Sequence, residues 1–195
     1  MYSGRTIERR ADAATFTPPL LLRNPHVQTI LASSKLRIRH TYSVIRSARS
    51  IILDAGGGVR LLGLFSVPPP DRPFKGIVII LHGWEGSASS TYCVRTGNRL
   101  FQNGYAVFRL NFRDHGSSHY LNTGLFYASA LDEVFQAVRR AAGLMAGVPA
   151  FIVGFSLGGN FALRIARRCR REPIDNLRHV VCISPVLDPE KATAR

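Results

Sequence analysis

At 195 residues, 46% of them hydrophobic and 19% charged, the chain is long enough to bury a sizeable core and too apolar for intrinsic disorder. Its net charge of +14 is half contributed by the first 50 residues, and arginine outnumbers lysine 23 to 3. No zinc-finger spacing, RNP-type aromatic string or heptad-linked basic region accompanies that charge, so specific nucleic-acid recognition is not expected, whereas weak association with an anionic membrane surface is.

The basic N-terminus lacks a continuous apolar stretch, since Leu20 to Leu22 is too short to act as one, and no segment approaches the length of a transmembrane helix. Cys93, Cys169 and Cys182 are odd in number and lack metal-ligand spacing, which predicts reduced thiols and a cytoplasmic location. No dinucleotide loop, phosphate loop or metal cluster is legible, so no cofactor and no metal are expected. Residues 1–48 read as an N-terminal extension and 49–195 as one core domain. Within the extension, Asn24-Pro25-His26 starts a short helix, with proline suited to a first turn.

Residues 49–53 and 60–67 read as an antiparallel strand pair, joined by a turn to which Gly56, Gly57 and Gly58 give freedom, and Pro68-Pro69-Pro70 ends the second strand. Residues 76–81 form an apolar run with the character of a buried strand. It ends in His82-Gly83-Trp84-Glu85-Gly86, a glycine-bearing turn at a strand's carboxyl end, where open α/β sheets build their sites. A helix over 91–102 follows, capped by Asn103-Gly104, and then a strand over 105–112. In the next loop Asp114 sits among turn-forming residues and is expected to bond nearby backbone amides. Leu131, Val134, Phe135 and Val138 recur at i, i+3, i+4 and i+7, the stripe of a helix that packs on a sheet. The order of elements predicts an α/β fold with a mostly parallel sheet.

The most informative segment is Gly154-Phe155-Ser156-Leu157-Gly158, placed between the apolar run 149–153 and the helical run 160–171. A serine hydroxyl is a weak nucleophile until a fold aims it at a base, and a strained strand-to-helix turn lifts it clear of the sheet. Gly154 and Gly158 flank it where side chains would crowd strand and helix. The backbone N–H of Leu157, directly after the serine, and that of Trp84 are the candidate oxyanion donors.

The strings LHGWEGSASSTY, FRLNFRDHGSS, GLFYASALDEV and FIVGFSLGGNFALRIA, with RNPHVQTI near the N-terminus, resemble the YheT-like branch of the α/β-hydrolase superfamily, also called the AB hydrolase 4 family. The resemblance covers nearly the whole chain from Pro25 onward and implies a serine carboxylic ester hydrolase acting on a small-molecule or lipid ester. It makes Ser156 the nucleophile, Gly154 and Gly158 the elbow glycines, and His82 with Gly83 the turn before the oxyanion donor. It also implies a cap region and two further strands, bearing the acid and the histidine, beyond Arg195. The expected architecture is thus an α/β-hydrolase core with helices on both faces, lacking its last strands and cap. In this fold the base and acid follow the serine along the chain. His179 alone among the histidines does so, at the start of the strand 180–183 and so at the wrong end of the sheet. Asp188, after that strand, is an acid candidate in a variant layout, against the plainer role of a turn residue before proline. His115 and His119 precede Ser156 and have no spacing that argues for a base. The last strand is expected to leave an apolar edge, and the chain to be inactive or weak if it is the whole polypeptide. The alternative is a non-catalytic scaffold or interaction protein that keeps the hydrolase fold.

Overall fold

The computed structural model describes residues 17–33, 42–71 and 73–188. The chain divides into two compact units, Met1–Ser34 and Lys35–Arg195. The first holds a 3₁₀ turn, Leu20–Leu22, and helix α1, Pro25–Ser33. Asn24 starts that helix as the sequence predicts: its Oδ1 accepts from the backbone N–H of His26 at 2.9 Å and of Val27 at 3.4 Å. The carboxamide thereby satisfies two amides that a helix N-terminus otherwise leaves unpaired.

The second unit is built on a six-stranded sheet. Its strands are β1 (Arg49–Asp54), β2 (Arg60–Ser66), β3 (Gly76–Leu81), β4 (Tyr105–Leu110), β5 (Ala150–Phe155) and β6 (Leu177–Ile183), and they lie in the order β1-β2-β4-β3-β5-β6. β1 and β2 are antiparallel, as is β2 on β4, while the pairs β4–β3, β3–β5 and β5–β6 are parallel. Short helix α2 (Ser43–Arg46) precedes β1, α3 (Thr91–Gln102) joins β3 to β4, α4 (Leu131–Gly143) joins β4 to β5, and α5 (Leu157–Arg168) joins β5 to β6. This is the α/β-hydrolase core that the sequence leads one to expect.

Apolar residues cover the sheet on both faces. On one, Val134, Phe135 and Val138 of α4 and Phe161, Ala162 and Ile165 of α5 pack on alternate residues of the strands, among them Ile77, Ile79, Phe108 and Ile152. On the other, Val44 of α2 and Cys93, Val94 and Phe101 of α3 meet Val78, Ile80 and Val107. β3 is buried at every position, because it lies between β4 and β5 with helices above and below, and such strands read as unbroken apolar runs.

Several boundaries differ from the sequence reading. β4 stops at Leu110, because Asn111 and Phe112 already belong to the turn over the sheet's end. α5 begins at Leu157, three residues earlier than expected, since Gly158 and Gly159 are helical despite their low propensity. β6 starts at Leu177, and its polar residues Arg178 and His179 hid it from an apolar count. β6 forms an edge on which Val181 and Ile183 are 49% and 40% exposed.

Candidate active site

The chain runs from β3 outward to β4 and then returns to β5 on the other side of β3, so the strand order reverses beside β3. That is the switch point at which an open α/β sheet leaves a crevice outside its carboxyl ends. Leu81 and Gly154 are register partners, which places the turn after β3 and the turn after β5 side by side.

Ser156 occupies the second of these turns with φ +50° and ψ −113°. An L-residue held in this region costs on the order of 1–3 kcal/mol, and the surroundings enforce it. The Ser156 N–H donates to the Ile183 carbonyl at 2.9 Å, and its own carbonyl accepts from Asn160 N–H at 3.0 Å and Val186 N–H at 3.4 Å. A Cβ at residue 154 would come within 2.3 Å of the Gly158 carbonyl oxygen, and one at residue 158 within 2.4 and 2.5 Å of the Leu81 and His82 oxygens. Strand, turn and helix close on one another so tightly that only glycine fits at either position. Among the described residues the Ser156 hydroxyl makes no hydrogen bond.

The first turn faces it. A Cβ on Gly83 would lie 3.3 Å from the Ser156 Cβ. His82 is fully buried and bridges two turns: Phe112 N–H donates to its Nε2 at 3.1 Å, so the ring's one proton sits on Nδ1, which donates to the Gly83 carbonyl at 2.7 Å. Burial is the main cause that drives its pKa down from 6.5 to about 4, so the ring is neutral. Gly86 N–H donates to the same carbonyl at 3.0 Å. A peptide is planar, with its C=O and N–H pointing in opposite directions, so the two donors that grip Gly83 C=O also set the direction of Trp84 N–H. Among the described residues neither Trp84 N–H nor Leu157 N–H donates to the protein. The Trp84 indole is 62% exposed and lies 6.4 Å from the Phe126 ring.

Other named residues fall elsewhere. His179 is the third residue of β6 and pairs with Phe151, toward the amino end of β5 and away from Ser156. His115 Nδ1 hydrogen-bonds the Arg113 carbonyl at 2.7 Å, and its ring lies 5.1 Å from that of His82. His119 pairs with Asp114 at 2.6 Å on the surface. Asp114 was expected to bond backbone amides; it has φ +57° and turns its carboxylate to that imidazole instead. Asp188 lies on the loop after β6, and that loop reaches the elbow through Val186, whose carbonyl accepts from Asn160 Nδ2 at 2.8 Å. No imidazole among the described residues hydrogen-bonds Ser156.

Sequence reading missed Tyr92. Its hydroxyl accepts from Gly83 N–H at 2.9 Å, its ring packs 4.8 Å from Phe155, and burial raises its pKa. Nothing in the spacing of the first turn of α3 marks a hydroxyl that reaches back nine residues. Among the described residues no group of three His, Cys, Asp or Glu side chains is placed to hold a metal ion.

A family model described as serine aminopeptidase, S33 (Hydrolase_4) matches residues 72–195. No curated protein matches the chain. Among solved structures, an esterase from Pyrococcus furiosus is similar at 22% identity over 76% of this chain and 55% of its own, with a TM-score of 0.58. An α/β serine hydrolase without lid from Xanthomonas campestris is similar at 23% identity over 64% of this chain and 57% of its own, with a TM-score of 0.55. A Butyrivibrio proteoclasticus protein solved with ferulic acid bound gives 22% identity over 73% of this chain and 55% of its own, with a TM-score of 0.59. The chain thus spans little more than half the length of these structures.

Proposed function

Because the chain belongs to the hydrolase family whose model, serine aminopeptidase, S33, matches residues 72–195, we propose that it carries the nucleophile and oxyanion half of a serine hydrolase acting on carboxylic esters. The observation that carries this reading is the strained Ser156, its hydroxyl unpartnered among the described residues, against a turn whose Trp84 N–H is aimed by the bonds to the Gly83 carbonyl. In the proposed reaction the Ser156 hydroxyl attacks the ester carbonyl while its proton passes to a general base. The carbonyl oxygen gains negative charge and is held by the N–H groups of Leu157 and Trp84. The carbon–oxygen bond to the alcohol breaks, the base returns the proton to that alcohol, and an acyl-Ser156 ester remains. Water hydrolyses it with the same base.

The described residues supply no base, and we assign base and acid to a segment that follows residue 195 in a longer reading frame; Asp188 is the alternative acid, in a variant layout. Esters are preferred to peptides because solved structures of the same fold include one named an esterase and one holding ferulic acid, although the family description names a peptidase. The substrate is a small-molecule or lipid ester. No described helix is long and apolar enough to cross a membrane. The three free cysteines suit a reducing cytoplasm.

Turnover of p-nitrophenyl acetate and butyrate by the 195-residue chain and by the longer frame, each beside Ser156→Ala, tests the reading. Activity that appears in the longer frame and is lost in Ser156→Ala supports it. Turnover of an aminoacyl p-nitroanilide in place of the esters moves the chain to peptidase chemistry. The absence of a histidine on Ser156 favours a competing reading, a non-catalytic scaffold that keeps the fold. That reading wins if a fluorophosphonate probe fails to label Ser156 in either length of chain.

A further inference from the structure

Arg109 is 2% exposed, and among the described residues no carboxylate pairs with it. Burying a cation costs several kcal/mol unless it is compensated, so what it binds calls for explanation. Its Nη1 donates to the Ala88 carbonyl at 2.8 Å and its Nη2 to the Val44 carbonyl at 3.5 Å, the latter also bound by Ser66 Oγ at 2.7 Å. Two residues along the same strand end, Asn111 is equally buried, and its Oδ1 accepts from the Ala88 N–H at 2.7 Å. Both polar groups of residue 88 are therefore gripped by side chains, one from the carboxyl end of β4 and one from the turn that follows it. Ala88 itself is buried, although Trp84, Glu85 and Ser89 around it are exposed.

The loop so held is the one that carries Trp84. At its start, Gly83 is fixed by His82, Tyr92 and Gly86. At its far end, Ala88 is fixed by Arg109 and Asn111. Between these anchors Glu85 sits at φ +52°, a conformation that costs a non-glycine residue free energy and relaxes if either end is released. Gly97 of α3 packs closely on this strand: a Cβ there would lie 3.2 Å from Val107 Cγ1, tighter than usual, and 3.6 Å, an ordinary contact, from the Arg109 Cδ.

We propose that Arg109 and Asn111 are positioning residues that hold the Ala88 peptide and thereby fix the loop from which the Trp84 amide meets the oxyanion. Their catalytic consequence rests on the ester-hydrolase reading above, whereas their grip on the loop does not. Displacing an oxyanion donor by about 1 Å costs on the order of 10²-fold in rate.

Trp84 is the only tryptophan in the chain, so its fluorescence reports this loop without any turnover. In the unmodified chain the Ala88 amide is expected to exchange with solvent deuterium at least 100-fold more slowly than an unprotected amide. Exchange at the unprotected rate overturns the proposal. Arg109→Met and Asn111→Leu keep side-chain volume and are expected to raise acrylamide quenching of Trp84 about 1.3- to 1.6-fold, the range that its 62% exposure leaves, with an unchanged far-UV circular dichroism spectrum. Asn111→Asp, which keeps the acceptor, is expected to restore wild-type quenching. Wild-type quenching in both Arg109→Met and Asn111→Leu overturns the proposal, and if one variant fails to fold, the other together with amide exchange decides. In the active longer frame, the two variants are expected to lower kcat 10- to 100-fold with KM within twofold. A shift in KM alone overturns the oxyanion role. If no Ser156-dependent turnover exists in any form, the hydrolase reading has failed, while quenching and exchange still decide whether the clamp exists.

Discussion

A methyl group is a large object at the elbow. Gly158→Ala would drive a Cβ to within 2.4 and 2.5 Å of the Leu81 and His82 oxygens, which are backbone atoms with no room to retreat. The expected cost is about 3 kcal/mol, the upper end for overpacking, read from denaturant midpoints, together with loss of Ser156 labelling as the two turns are pushed apart. His82 adds a titration. Its pKa falls from 6.5 to about 4 in the folded chain, chiefly by burial, so the unfolded chain binds the proton first as pH drops. Stability from this site is complete above pH 6.5 and is lost between pH 6.5 and 4, by about 3 kcal/mol in all. A urea titration across that window checks the sign, and His82→Gln is expected to remove the dependence. A rise in stability on acidification through the same window would contradict the neutral, buried ring.

At the scale of elements, α4 is tied to the turn after β4 by the Arg113–Glu133 ion pair, whose carboxylate side is 6% exposed. Burial raises the Glu133 pKa while the Arg113 hydrogen bond opposes that rise, and the carboxylate's other oxygen, Oε1, has no described partner. Arg113→Met is expected to cost about 3–5 kcal/mol in denaturant unfolding, because it strands a buried charge. α3 makes a different kind of prediction. Cys93 is buried against the sheet and its thiol is pushed up to about 12, while Cys169 and Cys182 are partly exposed. Iodoacetamide at pH 8 is expected to modify the latter two in the native chain and Cys93 only after unfolding, as mass spectrometry would show. β3, α3 and the elbow were legible in the sequence because each carries a local signature: an unbroken apolar run, an Asn-Gly cap, and glycines two positions either side of a serine. β6 was only half legible, since Arg178 and His179 break its pattern and only its pairing with β5 makes them strand. The links from Tyr92 to Gly83 and from Arg109 and Asn111 to Ala88 were illegible, because they join residues 9, 21 and 23 positions apart through geometry that exists only after the sheet has formed.

For the whole molecule, charge is the dominant global property. At +14, binding to vesicles of anionic phospholipid at low ionic strength is expected, and it should fall steeply between about 50 and 200 mM salt, since screening lengths shrink to about 10 Å or less. Co-sedimentation across that range checks it, and salt-insensitive binding would point to an apolar contact instead. Within the second unit, Arg168 contacts both Asp132 and Glu172, and Arg139 also contacts Glu172, tying the end of α5 to α4.

The strand order also sets a timetable for synthesis. β3, the most deeply buried strand, has β4 as one neighbour soon after it is made, but its other neighbour, β5, starts only at Ala150. At roughly 5–20 residues per second on the ribosome, the stretch from Leu81 to Ala150 takes about 3–14 seconds, during which one edge of an entirely apolar strand stays open. The nascent chain therefore passes through a long interval in which a chaperone has a ready target, and synonymous codons that slow translation between β4 and β5 are expected to lower the soluble yield without altering the finished protein.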